Sequence, residues 1–180
     1  MAAARQWVAG RTSKSLNSID AATSNPMLAS PGTDIISPQA ATLLGQSIGE
    51  TLGTSSNALC DTLALVSGLL ASSRRARCMI GPHVLTPLAR REPKHAGKIL
   101  QLADVCADIT VANALAIPLA AAILANRSVA IASLSAVRSS GPRCYTLAST
   151  AHAVTGRDAS AARSLAALLG PRGEPRQSVQ

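Results

Sequence analysis

Gly45, Gly49 and Gly53 recur at every fourth residue inside "TLLGQSIGETLGTSS", a stretch that otherwise carries helical periodicity. A glycine inside a helix costs about 1 kcal/mol relative to alanine, so three on one face demand compensation. The available compensation is a neighbouring backbone lying almost in contact along the bare row. Beside that row Leu44, Ile48, Leu52, Leu59, Leu63, Val66 and Leu70 recur at spacings of three, four or seven, which no strand produces. A second stripe of small residues, Ala41, Gly45, Gly49, Gly53, Asn57, Cys60, Ala64 and Gly68, runs alongside. Gly45, Gly49 and Gly53 are therefore expected to form a helix-packing groove that joins helices within the chain or between two copies of it. Gln46, Ser47, Glu50 and Thr51 argue against the membrane form of the motif. A plainer alternative is a break at Gly53-Thr54-Ser55-Ser56, with Ser56 or Asn57 capping a second helix.

Helix punctuation extends the reading in both directions. Ser37-Pro38 is a helix start, because serine caps the first free amides and proline fits the first helical position. The pattern continues to about Met79, with Arg74, Arg75 and Arg77 in the last turn, where cations meet the negative end of the helix dipole. Gly81-Pro82 is expected to stop it, and "HVLTPLARREP", with Pro87 and Pro93, reads as an irregular connector. Lys94 opens a longer apolar-periodic segment through Ile99, Leu102, Val105, Cys106, Ile109, Ala112, Leu115 and Ala116. Its uncharged continuation, Ile109 to Asn126, is expected to be a buried helix kinked at Pro118, with a marginal membrane span as the alternative. "SVAIASLSAV" fits strand or helix, and Gly141-Pro142 ends it. Asp158 caps a last helix that runs to Gly170-Pro171 with Leu165, Leu168 and Leu169 as its contacts.

The sum is an all-α fold: an irregular bundle of about five helices read from apolar periodicity. It occupies residues 37–170, between an N-terminal arm at 1–36 and a tail at 171–180 that both read as disordered. Phe is absent, Trp7 and Tyr145 are the only aromatics, and alanine dominates the apolar residues. Such a core gives less stabilisation per residue than an aromatic one. The same Ala, Ser and Arg bias also fits a poorly folded product of a GC-rich or overlapping reading frame.

The net charge is +8, nearly all of it arginine. Arg74, Arg75, Arg77, Arg90, Arg91, Lys94 and Lys98 form one block, and further arginines follow from Arg127 to Arg176. The block is expected to engage an anionic partner, either a nucleic-acid backbone or anionic lipid. The shortage of aromatics argues against a single-strand binder that works by base stacking. The first twenty residues carry Arg5, Arg11 and Lys14 and no acid before Asp20, as organellar transit peptides do, but alanine, serine and arginine enrich the whole chain. With no cleavable signal peptide, an intracellular location is expected, with nucleus or membrane as the alternatives, and Cys60, Cys78, Cys106 and Cys144 read as reduced, buried thiols.

Catalytic chemistry is weakly represented. Asp104 and Asp108, four apart, would share one face of a helix, as paired carboxylates can in acid/base work, but no histidine accompanies them. Cys60, Cys78, His83 and His95 are zinc-type ligands at spacings that match no zinc motif. Phosphate-loop, dinucleotide and hydrolase-elbow patterns are absent from the sequence. The expectation is a non-enzymatic protein without cofactor, metal or an evident small-molecule substrate, acting through helix packing and its arginine-rich surface.

Overall fold

A computed structural model describes residues 36–169 apart from Ser73 and Ala107. The expected arm as far as residue 35, any transit peptide within it, the Gly170-Pro171 stop and the tail at 171–180 lie outside the described residues. The described chain is all-helical. It runs α1 (Pro38–Leu52), α2 (Ala58–Leu70), α3 (Arg75–Arg91), a 3-10 turn (Pro93–His95), α4 (Ala96–Gln101) and a second 3-10 turn (Leu102–Val105). Then follow α5 (Ile109–Ala114), α6 (Ala116–Ala125), α7 (Arg127–Ser135), α8 (Gly141–Thr155) and α9 (Ala159–Leu169). The chain is cut into more and shorter helices than the apolar periodicity predicts.

Local chemistry sets several of the cuts. The Ser37 hydroxyl accepts from the Ala40 amide at 3.1 Å with Pro38 at the first helical position, as expected for the start of α1. Between α1 and α2 the chain does break. Asn57 occupies the cap position of α2 without a side-chain cap bond, while the Ser55 hydroxyl donates to the buried Asp61 carboxylate at 2.6 Å and ties the turn to α2. Asn126 starts α7 by accepting from the Val129 amide, so "SVAIASLSAV" is helical. Gly141-Pro142 begins α8 rather than ending an element, because Ser140 caps there and proline at an early position needs no amide partner. Asp158 accepts from the Ala161 amide at 2.9 Å and starts α9.

Two expectations fail at α3. Gly81-Pro82 does not stop a helix, and "HVLTPLARREP" is not an irregular connector: the helix runs through Pro82 and Pro87 to Arg91. Each internal proline deletes one backbone hydrogen bond and costs about 3 kcal/mol in an exposed helix. Here that cost is offset by burial, since Ile80, Val84, Leu85, Leu88 and Ala89 are all at most 1% exposed. Arg74, Arg75 and Arg77 consequently stand at the start of α3 and not in the last turn of its predecessor, where the dipole no longer favours them.

α3 is the centre of the bundle. It packs against α1, α2 and α6; α6 in turn packs on α8, α8 on α5 and α9, and α7 on α4 and the first 3-10 turn. The core is aliphatic, and Leu69, Leu70, Ile80, Leu85, Leu88, Ile99, Leu100, Leu115, Leu119, Ile123 and Leu134 are its largest fully buried side chains. Thr146 crosses it, donating its hydroxyl to the Ala112 carbonyl of α5 at 2.8 Å. The segment from Ile109 to Asn126 does not form one kinked helix: it divides at Leu115 into α5 and α6. Among the described residues no helix is long and apolar enough to cross a membrane, which removes the span considered for that segment.

Candidate functional site

The glycine row lies against α3. A Cβ added at Gly45 would sit 2.5 Å from the His83 Cβ and 2.9 Å from the Ile80 carbonyl oxygen. One added at Gly49 would run into the Val84 carbonyl oxygen and 3.1 Å from the Pro87 ring, and one at Gly53 into the Arg91 guanidinium. Contacts advance by about one turn on each helix together, so α1 and α3 run in the same direction through this seam. Arg91 Nη1 donates to the Gly53 carbonyl at 3.4 Å and closes its end. The neighbour is thus in the same chain, and it is the segment whose prolines suggested no helix. Past the break the small stripe changes role: Cys60, Ala64 and Gly68 of α2 are exposed, so Cys60 is not a packed core thiol.

Close approach of α1 and α3 leaves a concavity beside the seam, bounded on its far side by α6. The cavity has a volume of about 650 Å³. Thr42 and Gln46 come from α1, His83, Thr86 and Arg90 from α3, and Arg157 follows α8. The α6 wall is Ile117, Ala120, Ala121, Leu124 and Ala125, with no polar side chain. Ile117 and Leu124 remain 43% and 44% exposed because the cavity, rather than another described element, lies over them. His83 lies at the foot of the seam. Its Nε2 is 3.5 Å from the Thr42 hydroxyl, its Nδ1 is buried without a hydrogen-bond partner among the described residues, and burial pushes its pKa below the ordinary value.

The basic block does not form one patch. Arg74 and Arg75 lie at the N-terminal end of α3 and Arg90 and Arg91 at its C-terminal end, with half-buried Arg77 one turn in; seventeen residues at 1.5 Å rise separate the ends by about 25 Å. Lys94 and Lys98 follow the C-terminal end, and Lys94 is paired with Glu92 at 3.1 Å. What the sequence does not reveal is Arg157, which tertiary packing brings from the far end of α8 to the same cavity as Arg90. Neither guanidinium pairs with a carboxylate among the described residues.

The acids are mostly committed elsewhere. Asp104 pairs with Arg143 and accepts from the Ser140 hydroxyl, while Asp108 caps α5 through the Thr110 amide at 2.7 Å. Non-helical chain separates Asp104 from Asp108, so they do not share a helix face as expected. Amide donation lowers the Asp108 and Asp158 pKa values, and hydrogen bonds from Lys94 and His95 lower that of Glu92. Cys60, Cys78, His83 and His95 do not assemble, and no cluster of metal-binding residues occurs among the described residues. The Cys78 thiol donates to the Ser72 carbonyl, and burial raises the Cys106 pKa to about 11, which makes it a poor nucleophile. No protein family, no curated protein and no solved structure matches the chain.

Proposed function

We propose that this is a non-enzymatic helical binding protein whose arginine-bearing surface engages an anionic partner at the C-terminal end of α3. The observation that carries the reading is the convergence of Arg90 and Arg157 on one concavity without a carboxylate to neutralise either. Two exposed guanidiniums bordering one cavity favour an arriving oxyanion, which accepts their hydrogen bonds. The non-enzymatic part rests on the acids: Asp61, Glu92, Asp104, Asp108 and Asp158 are each engaged in a turn, a cap or an ion pair, and Glu50, exposed on α1, does not line the cavity that His83 borders. Helix packing serves the site indirectly, since the seam between α1 and α3 fixes where Arg90 and His83 stand.

Retention on a phosphate-bearing cation-exchange matrix, eluted by increasing salt, tests this reading. The R90Q/R157Q variant is expected to elute at clearly lower salt than R74Q/R75Q, although both lose the same formal charge. Equal shifts would mean that only net charge matters and would contradict the assignment.

A further inference from the structure

The lining of the cavity is of two kinds, and that difference describes a ligand. Thr42, His83 and Arg90 stand on α1 and α3, Arg157 comes just after α8, which packs beside α6, and the surface of α6 that the cavity exposes, Ile117, Ala121 and Leu124, is unbroken and apolar. A bare inorganic anion would leave the apolar α6 surface in contact with water, and a neutral apolar molecule would leave both exposed guanidiniums without an anionic partner. The volume of about 650 Å³ falls within the size of pockets that enclose small organic molecules. We infer that the cavity binds a phosphate monoester of a small apolar alcohol, its dianionic head between Arg90 and Arg157 and its alkyl body along α6. Two guanidiniums match the roughly −1.5 to −2 charge of a phosphate monoester at neutral pH, whereas a carboxylate leaves one of them uncompensated. Alanine at 120, 121 and 125 keeps the α6 wall recessed and makes room for the body. His83, whose Nδ1 has no partner among the described residues, adds a third group that gains from a nearby anion.

This inference rests on the anion-binding reading and narrows it to one ligand class. Calorimetric titration of the full chain with octyl phosphate, inorganic phosphate, octanoate and 1-octanol tests it. Octyl phosphate is expected to saturate at one per chain, with each of the other three weaker by about tenfold or more. R90Q/R157Q is expected to lose octyl phosphate by about tenfold or more. A121L, which fills the recess without touching charge, is expected to weaken octyl phosphate by a similar factor and leave inorganic phosphate unchanged. On saturation with octyl phosphate the NMR titration midpoint of His83 is expected to rise. Octanol or octanoate binding as tightly as octyl phosphate, or an unmoved His83, overturns the inference. Inorganic phosphate matching octyl phosphate overturns it too while leaving the anion-binding reading intact. Loss of that reading shows separately, as retention on the phosphate matrix indifferent to Arg90 and Arg157.

Discussion

At His83 the imidazole is half-buried between α1 and α3, and burial holds its pKa below the ordinary 6.5. A depressed histidine pKa means the unfolded chain takes up the proton first, so stability is full above the unfolded value and falls as pH drops from about 6.5 toward the folded one. Thermal melts between pH 8 and pH 5 are expected to show that slope, and H83Q is expected to flatten it; an unchanged slope would place the loss elsewhere. Gly97 in α4 repeats the chemistry of the glycine row as a single residue. An added Cβ there would meet the Ser133 carbonyl oxygen at 2.5 Å and the Val137 side chain at 2.9 Å. The Ser133 hydroxyl accepts from the Gly97 amide at 2.9 Å and donates to the Lys94 carbonyl at 2.7 Å, fastening α7 to the start of α4. G97A is expected to cost roughly 1–3 kcal/mol in urea unfolding, because a backbone oxygen cannot move aside as a side chain can. Nothing in the sequence marked Gly97, since one glycine has no period.

Helix boundaries divide into those written in neighbouring residues and those set by packing. Ser37, Asn126, Ser140 and Asp158 all accept amide hydrogen bonds at helix starts, and the two read from sequence, Ser37 and Asp158, were legible because a cap acts within three residues. N126A is expected to cost about 1 kcal/mol by removing the cap that begins α7, measured by chemical denaturation. α3 is the opposite case. Pro82 and Pro87 obey a local rule that holds when a helix is exposed, and the rule loses to the burial of most of α3 among α1, α2 and α6. Long-range packing of that kind leaves no local signature, and neither does the meeting of Arg90 with Arg157, which are far apart in sequence. The glycine row was legible as a demand for a close neighbour, but the identity of that neighbour was not.

Across the whole molecule, small side chains substitute for large ones. With no phenylalanine, the interior rests on leucine, isoleucine, valine and alanine, and close backbone approach supplies contact that aromatic rings would otherwise give. Such an interior leaves little reserve, so L69A, at a site with no exposure, is expected to remove about 2–5 kcal/mol and a large part of the total stability. The same economy of volume leaves the recess beside α6 open, which links the packing of the core to the concavity where the arginines converge. The direct test compares two alanine substitutions in the cooperative unfolding of the full chain. Gly68 in α2 has nothing within 4 Å of an added Cβ, so G68A is expected to stabilise by up to about 1 kcal/mol through helix propensity. Gly49 would drive its Cβ into the Val84 backbone oxygen, so G49A is expected to destabilise by roughly 1–3 kcal/mol despite the same gain in propensity. Opposite signs for the two variants are the predicted result; G49A as stable as the parent or more so would contradict the account.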